Sequence, residues 1–204
     1  MRDMEIPAIS TEYGSDLFRS RLEARWAIFF NELEIKFKYE PVRFELPSGS
    51  YLPDFWLPDQ ELWIEVKPKH IWEGLDLCAE LAQETGCRVY FCNTGILQRM
   101  PEDWKMYHPA VLVGLEPKML FGCTEGEEGR GMRFDFPYLW CECTGCGTLD
   151  VQFMGWAGRN RHSSGCCGFS YGKAWYTPRL EAAYRKARYT TFRKKSGYSA
   201  VCPQ

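Results

Sequence analysis

Residues 51–67, YLPDFWLPDQELWIEVK, constrain this chain more than any other stretch. Tyr51, Leu52, Phe55 and Trp56 are strand formers, Pro58-Asp59-Gln60 supplies a turn, and Leu62 to Val66 predicts a return strand. Strand side chains alternate, so Trp63, Glu65 and Lys67 are expected on one face and Leu62, Ile64 and Val66 on the other. Asp54 and Glu65 then sit in apolar strands, where an ion without a partner is costly to bury. Neighbouring strands lie about 4.8 Å apart, so the two carboxylates are placed to share a divalent cation with oxygen ligands at about 2.1 Å. Lys67 shares their face.

A helix and strands surround this hairpin. Asp16 is expected to cap a helix from Leu17 to about Glu34, with Leu22, Trp26, Phe29, Phe30 and Leu33 on a broad apolar face. Glu23 falls beside that stripe and is carried toward the core; a surface glutamate paired with a nearby arginine is the competing reading. Arg19, Arg21 and Arg25 share the segment. Phe37 to Leu46 reads as a first strand, Ile71 to Thr85 as a second helix stopped by Gly86, and Arg88 to Asn93 and Ala110 to Leu115 as further strands. The order is helix, three strands, helix, strand.

The motif and this order resemble the PD-(D/E)xK nuclease superfamily over roughly residues 12 to 93. Pro53-Asp54 matches the PD half and Glu65-Val66-Lys67 the ExK half. The resemblance implies an α/β, restriction-endonuclease-like αβββαβ core. It also implies that Asp54 and Glu65 hold Mg²⁺ or Mn²⁺, that the carbonyl of Val66 adds a ligand, and that Lys67 orients or activates the attacking water. The first helix of the superfamily often supplies a further acidic residue, which makes Glu23 the candidate.

The cysteines form a second pattern. The chain has 204 residues and ten cysteines, and its start, MRDMEIPAIS, lacks the apolar region of a signal peptide. Metal is therefore expected rather than disulfides. Cys141, Cys143 and Cys146 cluster in WCECTGCG, and His162, Cys166 and Cys167 in RHSSGCCG. Cys143-Thr-Gly-Cys146-Gly147 has the form of a zinc knuckle, with Thr148 to Phe153 and Gly155 to Asn160 as expected hairpin strands. The whole resembles a zinc ribbon, with structural Zn²⁺ assigned to Cys143, Cys146, His162 and Cys167; Cys141 and Cys166 stay open as substitutes.

Four segments follow: a nuclease core at 1–122, a linker at 123–136 centred on TEGEEGRG, a zinc-ribbon-like module at 137–176, and a basic helix and tail at 177–204. Thr177-Pro178 opens that helix. The net charge is only −2, but bases crowd the tail. Arg19, Lys69, Arg185, Lys186 and Arg188 are the candidate nucleic-acid contacts. No apolar run is long enough to span a membrane. The expectation is a small phage-type nuclease, cytoplasmic (in the bacterial host if phage-borne), acting on DNA, with RNA and a homodimeric state left open. The alternative is a non-catalytic nucleic-acid-binding or inhibitory protein that keeps the fold.

Overall fold

The computed structural model describes residues 8–68, 73–92, 111–113, 120–121, 123–125, 132–134, 138–143, 145–153, 174–175 and 177–192. Lys69, His162, Cys166, Cys167 and the expected strand at 155–160 lie outside them. The described residues are mixed α/β. In chain order they form β1 (Thr11–Tyr13), β2 (Asp16–Phe18), α1 (Arg21–Glu32), β3 (Lys38–Tyr39), β4 (Phe44–Leu46), β5 (Gly49–Tyr51), β6 (Phe55–Leu57) and β7 (Leu62–Val66). Then come α2 (Leu75–Thr85), β8 (Arg88–Cys92), β9 (Val111–Val113), β10 (Leu120–Phe121), β11 (Cys123–Glu125) and β12 (Met132–Phe134). Last are β13 (Tyr138–Cys143), β14 (Leu149–Phe153), β15 (Ala174–Trp175) and α3 (Pro178–Tyr189). Among the described residues no helix is long and apolar enough to cross a membrane.

The main sheet has six strands in the order β10-β9-β8-β7-β6-β3. Only β7 and β8 are parallel neighbours in it, and α2 lies between them in the chain, as a parallel pair requires a crossover. The alternation expected for β7 is realised, and all five of its residues are buried because both faces are covered. Leu62, Ile64 and Val66 join the apolar cluster of Phe29 and Phe30 from α1. Trp63 joins the opposite cluster, with Leu81 and Ala82 of α2 and with Leu46 and Tyr51 of the β4–β5 hairpin.

Two local expectations need correction. Helix α1 starts at Arg21, capped by Ser20, and not at Leu17 after Asp16. Asp16 instead pairs with Tyr13 across a two-residue Gly14-Ser15 turn, where Gly14 has φ +62°. Ser20 and Glu23 stand in the S-x-x-E spacing of a capping box, and that local signal outweighs an aspartate four residues earlier. The strand expected over 37–46 is two, β3 and β4. Glu40 at φ +43° and Pro41 break the ladder between them, and β4 pairs with β5 rather than joining the main sheet.

The C-terminal third belongs to the same interior. Leu180, Ala183, Tyr184 and Ala187 of α3, with Trp140, Leu149 and Val151 of β13 and β14, share the cluster of Phe29 and Phe30. Ring centroids lie 4.4 Å apart for Phe29 and Tyr184 and 5.9 Å for Phe30 and Trp140. The expected divisions near residues 122, 137 and 177 are thus not divisions of the core. The stripe on α1 is wider than the sheet covers, and β13 and α3 complete its burial. Polar ties reinforce the packing: Arg88 pairs with Asp150 at 2.9 Å, and Arg179 pairs with Glu142 and donates to the Leu33 carbonyl, each at 2.9 Å. The stretch read as a linker contains the antiparallel pair β11–β12. Among the described residues β14 pairs with β13, on the other side of the cysteine turn.

Candidate active site

Asp54 lies immediately before β6, and Phe55 pairs with Ile64 of β7. Extending that antiparallel register by one residue sets Asp54 opposite Glu65. Trp56 and Trp63, the pair next along this face, stack with centroids 4.5 Å apart. The hairpin therefore delivers both carboxylates to the end of an aromatic, buried face, as its alternation demands. Asp54 is 3 % exposed and Glu65 5 %. Both line a cleft of about 700 Å³ together with Glu23, Val66, Lys67 and Arg19. Six residues expected from the sequence to serve the site thus meet in one place.

Each carboxylate divides its oxygens in the same way. Asp54 Oδ2 accepts the Val66 N–H at 2.7 Å, while Oδ1 accepts Arg19 Nη2 at 2.9 Å. Glu65 Oε2 accepts the Tyr51 hydroxyl at 2.7 Å, while Oε1 faces Lys67 Nζ at 2.7 Å. One oxygen of each is fixed by a neutral donor of the fold, and the other meets a cation. Burial, then the charges of Glu65 and Glu23, push the Asp54 carboxyl well above its ordinary value, against the pull of the Val66 N–H and Arg19. Burial pulls the Lys67 ammonium down, but Glu65 and Asp54 outweigh it and hold the group above the ordinary lysine value. Lys67 Nζ therefore faces Glu65 as a charged hydrogen-bond donor.

Glu23 is buried in the cleft wall, as expected, but its oxygens are used locally. Oε1 accepts the Ser20 hydroxyl at 2.7 Å, and Oε2 accepts the Tyr39 hydroxyl at 2.6 Å and the Arg19 backbone N–H at 3.1 Å. The Glu23 N–H in turn donates to Ser20 Oγ at 3.1 Å, so Glu23 closes the start of α1 through the Ser20 hydroxyl and the Arg19 N–H. Among the described residues no three His, Cys, Asp or Glu side chains are gathered closely enough to hold one ion. What fits a hard divalent cation is the pair Asp54 and Glu65: two buried oxygen donors whose mutual repulsion a cation would relieve.

Arg21 and Arg43 also line the cleft. Arg43, Tyr51 and Tyr39 were missed as site residues. Tyr51 stands next to the motif in an apolar run and reads as a core residue; Tyr39 and Arg43 carry no local signal. Arg25 on α1 donates to the carbonyls of Ala187 and Arg188 and caps the end of α3. With Arg179 reaching the Leu33 carbonyl at the other end, α3 runs antiparallel to α1. Its last turn, with exposed Lys186 and half-buried Arg188, thus lies at the end of α1 that borders the cleft; Arg185 is also exposed.

At the cysteine turn, β13 and β14 close through Cys143 N–H to Thr148 O at 2.8 Å and Gly147 N–H to Cys143 O at 2.7 Å, with Gly147 at φ +74°. Cys143 is buried and Cys146 exposed. The Cys146 sulfur lies 3.1 Å from Thr148 Oγ1. Burial, with Asp150 adding, pushes the Cys141 thiol up to about 12. Strand β14 ends at Phe153, opposite Tyr138 and at the far end of the hairpin from this turn, whereas β15 pairs beside the turn, Ala174 with Cys143.

Compared with known proteins, the chain matches no family model, no curated protein and no solved structure.

Proposed function

We propose that this protein is a divalent-cation-dependent deoxyribonuclease that hydrolyses phosphodiester bonds of DNA. One observation carries the reading: Asp54 and Glu65, buried and opposed on paired strands, share a cleft with the Lys67 ammonium. Burying two carboxylates side by side costs stability, and a perturbed carboxyl in a cleft, here Asp54, marks a candidate site. In this reading Asp54, Glu65 and the Val66 carbonyl hold Mg²⁺ or Mn²⁺, which when bound stabilises charge on the scissile phosphate and acidifies water. Tyr51 and the Val66 N–H fix the angle of the two carboxylates. Lys67 donates a hydrogen bond to the attacking water or to the phosphate, and Glu23 keeps the start of α1 in register with the cleft. Arg19, Arg21 and Arg43 are placed at its wall to take up backbone phosphates.

The succession α1, β3, β6, β7, α2, β8 supports assignment to the PD-(D/E)xK superfamily, with β4–β5 as an insertion. A structural Zn²⁺ at Cys143, Cys146, His162 and Cys167 accompanies the reading, supported by the Gly147 turn and by the return of the chain beside Cys143. Lys69 and the bases of α3 would extend the DNA track. The test is incubation of the protein with linear, circular, branched and single-stranded DNA and with RNA, each with Mg²⁺, Mn²⁺ or EDTA. Cleavage of at least one DNA form that EDTA abolishes is expected; no cleavage of any substrate would leave a binding protein.

A further inference from the structure

Arg19 occupies an unusual position among the cleft cations. Its guanidinium reaches Asp54 Oδ1 at 2.9 Å, where Asp54 is almost fully buried, yet the Arg19 side chain is 56 % exposed. Its Nε also pairs with Glu40. Meanwhile its backbone is pinned, since the Arg19 N–H donates to Glu23 Oε2 at 3.1 Å and to the Tyr39 hydroxyl at 3.0 Å. A fixed backbone with an exposed side chain is a pivot. The Oδ2 atom of Asp54 is committed to the Val66 N–H, so Oδ1 is the oxygen left to face the cleft. A divalent ion at that oxygen and a guanidinium on the same atom are like charges within a few ångströms, in surroundings where Coulomb repulsion is strong. Only one of them can hold Oδ1.

We infer that Arg19 is the displaceable counterion of the cation site: it holds Asp54 in the metal-free protein, and the incoming divalent ion must evict it. Lys67 does not play this part, being less exposed, at 29 %, and paired with Glu65 two residues away on the same strand end. Eviction turns the guanidinium out toward the open cleft, where its planar donors suit a phosphate. The inference rests on the proposed cation site at Asp54 and Glu65, but not on hydrolysis.

The test is calorimetric titration of Mn²⁺ alone at pH 8 into the full chain, with no nucleic acid present. Removing the competitor in Arg19→Gln should lower the Mn²⁺ Kd about five- to tenfold, less than a fully buried charge-assisted contact because the guanidinium is half exposed. Glu40→Gln, which loosens Arg19 without touching Asp54, should shift Kd in the same direction by a smaller factor, and Asp54→Asn should abolish binding. Thermal melting of each variant keeps folding separate from binding. An unchanged or weaker Kd in folded Arg19→Gln overturns the inference. No Mn²⁺ binding by the unsubstituted protein overturns it together with the cation site. Tighter Mn²⁺ in Arg19→Gln combined with no cleavage of any nucleic acid would uphold the inference and remove the nuclease reading alone.

Discussion

At the residue scale, the site is a set of charges that shift one another. Asp54 is the clearest case, because its native pKa is raised well above the ordinary 3.8. Between 3.8 and that raised value the native state binds more protons than the unfolded state, so stability falls as pH rises through this window and stays reduced above it. Asp54→Asn should therefore raise the melting temperature of metal-free protein at neutral pH by about 2–4 °C, or about 1 kcal/mol. The gain should vanish as pH falls toward 4, which melting curves across the range will show. Lys67 belongs to the same account. Held as an ammonium against Glu65, it contributes charge and a donor, so Lys67→Ala should lower kcat by about 10²-fold or more. Mn²⁺ affinity and DNA affinity should change little, a split that single-turnover kinetics and titration resolve.

At the scale of elements, the hairpin and the helix do most of the positioning. The β6–β7 hairpin was legible from sequence because period-two alternation and the Pro58 turn are local signals. So was the apolar stripe of α1. The start of α1 has two competing local signals, Asp16 and the Ser20–Glu23 spacing, and the structure takes the second. At the helix start Glu23 binds the Ser20 and Tyr39 hydroxyls and steadies the backbone of Arg19. Ser20→Ala should cost about 1 kcal/mol, seen as a melting temperature about 2–4 °C lower. Tyr51, Tyr39 and the Arg19–Asp54 pair were not legible, because their partners lie 14, 16 and 35 residues away and depend on register no local pattern encodes.

At the scale of the whole molecule, the described residues share a core that crosses the expected divisions. Phe29 and Phe30 are covered by Trp140 and Tyr184, and no periodicity within one segment could have announced contacts of that range. This changes what the loss of the proposed zinc should do. Cys143→Ser should release one Zn²⁺ per chain, measured by elemental analysis. It should also lower a single cooperative melting transition, rather than free a C-terminal module from an intact core. A second, separate transition would show that the C-terminal third folds by itself. The central claim, however, is that Asp54 and Glu65 form the centre of a hydrolytic site, and DNA cleavage with Mg²⁺ or Mn²⁺ by the intact protein and by folded Asp54→Ala and Glu65→Ala tests it most directly. Cleavage by the intact protein and a loss of several orders of magnitude in both variants is the predicted result; undiminished cleavage by either variant would contradict it.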